Sequence, residues 1–487
     1  MGTRDLCQNP IWEGKELGRP IPESPHAISV ALPRWQDVTG YEEGRPDVIG
    51  KLSTGYPRFV VHSFVRALAG RLSGEGVCLP FPSLRVAEQC ADFIRRSCGE
   101  AARLIPGSGV TGVATSDAGS SCLKAFWQHT GLIVSSRQAE AILAGRKDGD
   151  EDAAVRDSLR RHLAGFYDCA PDDVFLAPSG MAAQFAALQT VRSFRPGQPT
   201  AQLGFPYVDT LKLQQKLGDG GILLHDLEHI EADLFRLLGR QPLAACFCEI
   251  PGNPLLGSVD VRKIVPFLRA QRVPLVVDDV VATPYNVDLG PHADLIATSL
   301  TKYIVGTGDA MGGALIVNPR SPLYAELKPL ARAQHEELLW GEDAAILEAH
   351  AGTFPERMRV HNRNGLAIAE RLRGHARVER VWYPKWECSE AYEAVRRPEG
   401  GYGSLITFLP AQAETRAAGV YDAMAVCKGP SLGTTFTLAC PFTLLAHYGE
   451  LDWAESCGVS RYLIRISVGL EDPDDLWGRL VDALNAA

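Results

Sequence analysis

The length, composition and charge of the chain set broad limits on its class. Its 487 residues are 46% hydrophobic and 22% charged, a balance typical of a folded protein of two or three domains and not of a disordered chain. The net charge of −9 disfavours nucleic acid and anionic membranes as partners, because both reward clustered lysine and arginine. A small-molecule substrate fits this balance better.

Hydropathy and cysteine spacing further limit the class of protein to which the chain can belong. No apolar run is long enough to span a membrane, and the opening stretch MGTRDLCQNPIWEGKELG is too polar for a secretory signal, so we expect a cytoplasmic protein without a membrane partner. The twelve cysteines stand singly, apart from Cys246 and Cys248 on one apolar run. We therefore expect reduced, mostly buried thiols and no metal site.

The first third of the chain has a mixed pattern. Residues 1–57 are rich in proline and glycine, which indicates an extended arm, and Phe59–Leu72 has helical apolar spacing. We therefore group 1–75 as an N-terminal arm and helix. Before residue 165, an insert-like stretch combines two predicted strands, in GVCLPFP and SCLKAFWQHT, with a charged helix in RKDGDEDAAVRDSLRRHLAGFY.

Beyond residue 170 short apolar runs alternate with helical ones, as in DVFLAP followed by MAAQFAALQTVRSF. This alternation predicts βαβ units, and hence an α/β fold whose large domain, 76–345, holds a mostly parallel central sheet with helices on both faces. The later segments RVWYP, SLITFLP and YLIRISVGL predict a smaller C-terminal α+β domain, 346–487. Ligands of such parallel sheets bind at the carboxyl ends of the strands.

A lysine stands at one of these strand ends. Lys302 lies in SLTKYIVGTGDAMGG, directly after the apolar run ADLIAT. A lysine in a partly desolvated pocket beside another cation loses its proton readily, and it can then attack an aldehyde. The alternative is an ordinary surface lysine in a loop.

A carboxylate ends a neighbouring predicted strand. Asp278 closes the apolar run PLVVDD, and a buried carboxylate is unfavourable unless it is paired. A protonated ring nitrogen of a cofactor can supply the partner. The alternative is a residue that caps the next helix, a role for which Asp279 is better suited.

A glycine opens a predicted helix in APSGMAAQFAA. The backbone N–H groups of Gly180 and Met181 could bind a phosphate there, assisted by the helix dipole and by the hydroxyls of Ser299 and Thr301. The alternative is an ordinary helix cap at Ser179. Taken together, an amine, a carboxylate and a phosphate cup suit pyridoxal 5'-phosphate (PLP).

The order and spacing of these motifs resemble one family, the PLP enzymes of cysteine and methionine metabolism. The resemblance extends through EIPGNP, VDD, ATPY, SLTKY and LIRISVGLED, and so covers the whole catalytic body. The fungal cystathionine γ-synthase branch is the most similar, since TGYPRF, FWQHTG, SSRQAE, FPYVDTLKL, PSLGTTFTL and LLAHYGELDWA look like segments of it. The family implies the aspartate-aminotransferase-like fold, also called fold type I.

The resemblance implies a role for each cofactor-binding residue. Lys302 would carry PLP as a Schiff base, Asp278 would pair with the pyridinium, and Tyr207 would stack on the ring and help to move protons. Gly180, Met181, Ser299 and Thr301 would hold the phosphate. Asn253 would hydrogen-bond the ring hydroxyl.

The resemblance also implies substrate contacts and an assembly. Arg465 would bind the substrate α-carboxylate with help from Ser431, and Phe436 would line the substrate pocket where many bacterial relatives carry a glutamate. Tyr56 and Arg58 would reach from the arm into the neighbouring subunit's site and contact the cofactor phosphate and the substrate there, with Tyr56 also a catalytic residue. That contact implies at least a homodimer, and the family favours a homotetramer.

The implied reaction is γ-substitution on an O-acyl-L-homoserine, O-acetyl-L-homoserine above all, through a vinylglycine ketimine. The nucleophile could be cysteine thiolate, which gives cystathionine, or a carbon nucleophile such as a β-keto acid enolate. Two alternatives stay open, a lyase acting on cystathionine or methionine and a catalytically silent scaffold. The chain also departs from relatives in reading VDDV for VDNT and YVDT for YGGT, neither of which removes a catalytic group.

Overall fold

A computed structural model describes residues 4–73 and 77–486 of the chain. The first part is an N-terminal segment with little regular structure. Its elements are β1 (Pro20–Ile21), β2 (Ser29–Val30), α1 (Trp35–Glu42) and α2 (Pro46–Ile49).

The N-terminal segment is extended, as predicted, and it lies on the C-terminal domain of its own chain. The backbone N–H of Leu32 donates to the carbonyl of Lys428 over 2.9 Å, and Tyr421 donates to the carbonyl of Leu32 over 2.7 Å. The buried ammonium of Lys428 donates to the carbonyl of Pro33 over 2.9 Å. These bonds fix the course of the segment that leads to Tyr56.

A small α+β unit follows. Its elements are α3 (Ser63–Leu72), β3 (Val77–Phe81), α4 (Leu84–Cys98), β4 (Ala102–Pro106), β5 (Thr111–Thr115), α5 (Ser120–Thr130) and α6 (Ser136–Leu143). The three strands form an antiparallel sheet in the order β3-β5-β4.

One of the two strand predictions in this unit is wrong. GVCLPFP forms β3 over its described residues, but SCLKAFWQHT lies in α5. The buried residues Leu123, Phe126, Trp127 and Thr130 recur at helical spacing, and Gly131 ends the helix in the left-handed conformation with φ +64°. The aromatic residues of this segment favour a β-strand. Packing of one helical face into the core outweighs that preference and stabilises α5.

The large domain has alternating strands and helices. They are α7 (Asp150–Phe166), β6 (Val174–Ala177), α8 (Gly180–Phe194), β7 (Thr200–Leu203), α9 (Val208–Leu217), β8 (Gly221–Leu224), α10 (Ile230–Arg240), β9 (Ala245–Glu249), α11 (Val261–Ala270), β10 (Leu275–Asp278), α12 (Thr283–Asn286), β11 (Leu295–Ser299), β12 (Gly313–Val317), α13 (Tyr324–Gln334) and α14 (Gly341–Ala351). The charged helix was predicted correctly as α7.

The predicted mostly parallel sheet is confirmed. Its seven strands run in the order β6-β12-β11-β10-β9-β7-β8, and only β12 pairs antiparallel with its neighbours. The carboxyl ends of β9, β10 and β11 bring Glu249, Asp278 and Ser299 to one edge of the sheet. That edge is where a ligand is expected in a sheet of this kind.

The C-terminal domain is an α+β unit, as predicted. Its elements are α15 (Phe354–Arg373), β13 (Val378–Trp382), α16 (Ser389–Glu393), β14 (Leu405–Pro410), α17 (Ala413–Ala423), β15 (Cys427–Lys428), β16 (Leu438–Pro441), α18 (Phe442–His447), α19 (Leu451–Ser456), β17 (Ile464–Ser467) and α20 (Pro473–Ala486). The sheet order is β13-β14-β17-β16-β15. Three short 3-10 helices, Gly14–Glu16, Pro171–Asp173 and Tyr448–Glu450, complete the list.

The predicted boundary at 345/346 falls inside α14. Leu347 and Ala351 of this helix pack into the large-domain core, whereas Ile368 and Leu372 of α15 pack into the core of the C-terminal domain. The chain therefore passes from one domain to the other along α15. Across the described ranges, the structure contains no helix with the length and apolar character that crossing a membrane requires.

Candidate active site

A cavity opens at the carboxyl edge of the central sheet, between the two domains. Every site residue predicted from the sequence lines it except Phe436. The cavity wall therefore joins the ends of large-domain strands, the start of α8, the arm and the C-terminal sheet.

Lys302 lies just after β11 with its amine buried in this cavity. Its Nζ donates to Ser431 Oγ over 2.8 Å and lies 3.2 Å from the phenol oxygen of Tyr56. Burial lowers the pKa of Lys302, and the nearby charges of Arg465 and Arg58 lower it further, against the opposing effect of Tyr56. Lys302 therefore loses its proton more readily than an exposed lysine, and its burial excludes the surface-loop alternative.

Tyr56 is placed to exchange a proton with this amine. Burial would raise the pKa of its phenol, but the positive charges of Lys302 and Arg58 outweigh burial and lower that pKa. The Lys302 Nζ also lies 4.8 Å from the centre of the Tyr56 ring. The pair can hold one proton in either of two places.

Asp278 ends β10 and faces the same cavity. It accepts hydrogen bonds from Gln184 Nε2 and from the backbone N–H of Val280, both at 2.8 Å. Within 4–73 and 77–486 no lysine, arginine or histidine forms an ion pair with it, and burial raises its pKa to about 6. A buried carboxylate without a cation suits a protonated ring nitrogen.

Asp279 does not cap the next helix, contrary to expectation. It is fully buried and accepts a hydrogen bond from the Tyr167 phenol over 2.9 Å. Burial raises the pKa of Asp279 to about 7.

The start of α8 can bind an anion. Ser179 caps the helix by accepting a hydrogen bond from the backbone N–H of Ala182 over 3.1 Å, so the alternative prediction of a helix cap at Ser179 is confirmed. Gly180 has no room for a side chain, because a Cβ there would lie 2.6 Å from Ser299 Cβ. Ser299 thereby sits directly beside the first N–H groups of a fifteen-residue helix. Thr301 Oγ1 lies next to them and donates to the carbonyl of Gly312 over 3.2 Å.

Glu249 is a positioning residue for which its motif EIPGNP predicts no role. It accepts hydrogen bonds from the backbone N–H groups of Tyr207 and, at 3.2 Å, of Asn253. Burial and the neighbouring Asp278 raise the pKa of Glu249 to about 8. One carboxyl group thus fixes the segments that carry two predicted cofactor contacts. The strand-end position of Glu249 in β9 was the signal that could have revealed it.

Arg465 of β17 supplies a cation on the opposite wall. Its guanidinium donates to Asn253 Oδ1 at 3.2 Å and to the carbonyl of Ser431 at 2.8 Å. Its Cζ lies 4.9 Å from the centre of the Phe442 ring. Across the described ranges no carboxylate pairs with it, so it can bind a carboxylate of a ligand.

Arg58 is held by three groups of its own chain. It donates to Tyr207 Oη, to Asp209 and, at 2.8 Å, to the carbonyl of Gln128. Asp209 is fully buried and also accepts from Gln128 Nε2 at 2.9 Å and from His129 Nδ1 at 3.0 Å. YVDT and FWQHTG were both noted in the sequence, but spacing alone could not bring them together.

Tyr56 and Arg58 enter the cavity of their own chain. In the single chain that the structure describes, the N-terminal segment brings both side chains to the cavity of the chain that carries them. Their contact with a neighbouring subunit, the homodimer and the homotetramer stay predictions.

Phe436 was assigned wrongly to the substrate pocket. It is buried in a separate cluster with Leu6, Ile11 and Ile21, beneath the N-terminal segment. Phe442, at the start of α18, provides the aromatic wall of the cavity instead. The course of the N-terminal segment, which covers Phe436, has no periodic signal in the sequence.

The residues present fit PLP. A buried amine, a carboxylate without a cation and a helix start crowded against a serine match its aldehyde, ring nitrogen and phosphate. An unspecific pocket would not need all three.

The comparisons with known proteins agree. Residues 152–485 match the family described as Cys/Met metabolism PLP-dependent enzyme, and residues 60–135 match the N-terminal domain of fungal trans-sulfuration enzymes. Cystathionine gamma-synthase of Neurospora crassa is 33% identical over 97% of this chain and 98% of its own. L-2-Amino-4-chloropent-4-enoate dechlorinase/desaturase of Streptantibioticus cattleyicolor is 34% identical over 96% of this chain and 98% of its own.

Solved structures show the same fold. Cystathionine gamma synthase of Xanthomonas oryzae in complex with cystathionine has a TM-score of 0.60 at 26% identity, covering 70% of this chain and 88% of its own. O-Acetylhomoserine (thiol)-lyase of Campylobacter jejuni, with a pyridoxyl-lysine phosphate adduct, has a TM-score of 0.61 at 23% identity and covers 72% and 91%. The chain therefore has the type I fold and belongs to the Cys/Met metabolism PLP-dependent enzymes, with the N-terminal domain of the fungal trans-sulfuration branch and the chemistry of γ-substitution or γ-elimination.

Proposed function

We propose that the enzyme replaces the acyloxy group of an O-acyl-L-homoserine, O-acetyl-L-homoserine in the first place, by a small nucleophile. One arrangement supports this proposal: the amine of Lys302, the phenol of Tyr56 and the guanidinium of Arg465 face one cavity. The amine and phenol suit repeated proton transfers, and the guanidinium suits an α-carboxylate.

Residues from both sides of the cavity would hold the cofactor. Lys302 would bind the aldehyde of PLP and Asp278 would keep the ring nitrogen protonated, with Gln184 donating a hydrogen bond to Asp278. The N–H groups of Gly180 and Met181 would bind the phosphate together with the hydroxyls of Ser299 and Thr301. Asn253 would hydrogen-bond the ring hydroxyl, and Tyr207 would pack on the ring. When bound, PLP supplies an electron sink for negative charge at the carbons next to the amino group.

The protein groups then move protons at defined positions. Arg465 orients the substrate through its α-carboxylate, and the carbonyl of Ser431 accepts a hydrogen bond that holds the Arg465 guanidinium in place. The Lys302 amine takes the proton from the α-carbon and then the proton from the β-carbon. The Tyr56 phenol exchanges protons with that amine. Loss of the β-proton expels the acyloxy group as a carboxylate. The nucleophile adds at the γ-carbon, and the same groups return the protons.

A second candidate is γ-elimination without a nucleophile. The 34% identical relative from Streptantibioticus cattleyicolor is named as a dechlorinase/desaturase of an amino acid that carries chlorine on its fourth carbon. The same proton transfers would expel chloride instead of a carboxylate. This relative supports testing a γ-chloro substrate beside the acyl ester.

A product panel tests the proposal. The PLP-loaded enzyme is incubated with O-acetyl-L-homoserine alone, with L-cysteine, with ethanethiol and with acetoacetate, and the products are identified by mass spectrometry. We expect acetate and a γ-substituted amino acid with at least one nucleophile, lost in Lys302→Ala. Formation of 2-ketobutyrate in every tube, with no substituted product, would establish elimination. A further tube contains 2-amino-4-chloropent-4-enoate. If the enzyme consumes this compound and leaves O-acetyl-L-homoserine unchanged, the second candidate is favoured.

A further inference from the structure

We propose that Cys98 and Cys122 form a reversible disulfide when the protein meets a peroxide. The two cysteines belong to neighbouring helices of the small α+β unit, and neither lines the active-site cavity. The proposed disulfide is therefore independent of the reaction that the cavity supports. It makes one pair an exception to the expected reduced state of the twelve cysteines.

The fold brings the two cysteine positions together. Cys98 is the last residue of α4, and Cys122 lies in the first turn of α5. Between them β4 pairs antiparallel with β5, so that Ala102 lies opposite Thr115. The Thr115 hydroxyl donates to the carbonyl of Ala101 over 2.9 Å, and α4 packs against α5. The end of one helix and the start of the next therefore meet at one end of the hairpin.

The two thiols contact each other at this junction. Desolvation raises the pKa of Cys122, and its hydrogen bond with the Cys98 thiol raises that pKa further. Cys122 also packs against the hydrophobic cluster that buries Cys90. The Cys98 thiol donates to the carbonyl of Ile94 over 3.2 Å, which holds it against its own helix. Two thiols in contact satisfy the short separation that a disulfide requires.

A small oxidant can reach this pair. All twelve cysteines lie in the described part of the chain, and of these only Cys98 and Cys388 are exposed. Cys122 is half-buried and lies near the ammonium of Lys216, a positive charge that favours the thiolate. A metal site is not an alternative, because within residues 4–73 and 77–486 no three histidine, cysteine or carboxylate side chains are grouped to hold an ion.

The oxidation takes two steps, with hydrogen peroxide as the oxidant. The Cys98 sulfur attacks one peroxide oxygen and the O–O bond breaks. The second oxygen leaves as water with the thiol proton, and Cys98 becomes a sulfenic acid. The Cys122 sulfur then attacks the Cys98 sulfur, the S–O bond breaks, and a second water leaves with the Cys122 proton. Two thiols and one peroxide thus give one disulfide and two water molecules.

The disulfide would join α4 to a helix whose other end reaches the active site. That end carries His129, which contacts Asp209, and Gly131, whose carbonyl accepts a hydrogen bond from Ser179. Because the cysteine ends of the two helices already meet, we expect PLP affinity to stay unchanged. The crosslink closes the loop between the two cysteines in the unfolded chain, and this stabilises the folded unit.

Peptide mapping tests the proposed disulfide. The PLP-loaded protein is treated with hydrogen peroxide, its remaining thiols are blocked with N-ethylmaleimide before unfolding, and the digest is analysed by mass spectrometry. We expect a peptide pair joined through Cys98 and Cys122, the loss of these two free thiols, and their return with dithiothreitol. Cys388, at the start of α16, is the internal control and should gain oxygen atoms instead.

Two serine variants complete the test. In Cys122→Ser, Cys98 loses its partner, so peroxide should convert it to a sulfinic acid that dithiothreitol does not reduce. Cys388→Ser is the matched control and should form the disulfide as the parent does. Peroxide should also raise the unfolding temperature of the parent and of Cys388→Ser, but not that of Cys122→Ser. Absence of the joined peptides in the parent, or a link from Cys98 to another cysteine or to a second chain, would overturn the proposal.

Discussion

Some side chains at this site suit the binding of PLP although their burial destabilises the folded protein. Asp278 illustrates the conflict, since the carboxylate that suits a pyridinium has no cation of its own within the described residues. Strained or unsatisfied groups of this kind are common where a protein binds a ligand. The sequence singled out Asp278 because a charged residue at the end of an apolar strand is unusual enough to need a reason, and the structure brings it to the cavity; its pairing with a ring nitrogen stays a prediction.

The raised pKa of Asp278 predicts how the cofactor-free protein responds to pH. Its folded pKa of about 6 lies above the ordinary value of 3.8, so the folded state holds the proton more tightly than the unfolded state. Stability therefore falls as pH rises from about 4 to 6, by about 1–3 kcal/mol from this group. Above pH 6 Asp278 is ionised, and the full loss of folding stability from this group is present.

Asp278→Asn should remove that penalty. At pH 8 we expect the cofactor-free variant to be more stable than the parent by about 1–3 kcal/mol in urea unfolding, with a smaller difference at pH 4.5. Its affinity for PLP should fall at the same time. Asp117→Asn, at an exposed carboxylate, serves as the control and should change neither property. If Asp278→Asn is less stable than the parent protein at pH 8, the ionised Asp278 carboxylate has a stabilising partner within the chain, and the prediction is wrong.

Asp209 marks the limit of residue-level prediction. The sequence showed that Asp209 departs from the common pattern, yet its partners Arg58 and His129 lie about 150 and 80 positions away along the chain. Neither periodicity nor composition encodes such a contact. The same limit explains the error at Phe436, which is buried by residues of the N-terminal segment.

At the scale of elements, the strand and helix alternation of the large domain was predictable and α5 was not. The βα units bury their strands on both faces, and this produces continuous apolar runs that stand out from the helices. The helix α5 carries aromatic residues that suit either structure, and its C-terminal Gly131 was the overlooked stop signal.

The end of α5 meets the start of α8 closely enough to affect cofactor binding. Gly131 has φ +64°, and a Cβ there would lie 2.3 Å from Ser179 Oγ, the hydroxyl that caps α8. Gly131→Ala should therefore disturb the phosphate-binding end of α8 and weaken PLP binding about tenfold, beyond the strain of a left-handed alanine.

A matched glycine separates these two effects. Gly99 ends α4 with φ +74° and has nothing within 4 Å of an added Cβ. Gly99→Ala should lose about 1 kcal/mol of stability and keep its PLP affinity. Equal PLP affinities of the two variants, measured by fluorescence titration, would contradict the proposed link between α5 and the phosphate.

At the scale of the whole molecule, the open question is which subunit's site receives the N-terminal arm. The resemblance predicts that Tyr56 and Arg58 reach the site of a neighbouring subunit, whereas in the single chain described they line the cavity of their own chain. The sequence could not decide between the two arrangements, because an arm with little periodic structure can lie on either subunit.

Mixing two inactive variants distinguishes the arrangements. Tyr56→Phe and Lys302→Ala chains are produced together, and activity is compared with the average of the separate variants. We expect no gain, because each chain lacks one group in its own site. Recovery of about a quarter of the parent activity would mean that Tyr56 serves a partner in a dimer. Size-exclusion chromatography of the mixture confirms that mixed assemblies can form.

The most direct measurement is to locate the lysine that carries the cofactor. The PLP-loaded protein is reduced with borohydride and digested, and the pyridoxyl group is mapped by mass spectrometry. Lys428 is the natural competitor, because burial lowers the pKa of its ammonium to about 7. We predict the label on Lys302 alone. A label on Lys428 or any other lysine, with Lys302 unmodified, would contradict the proposed site.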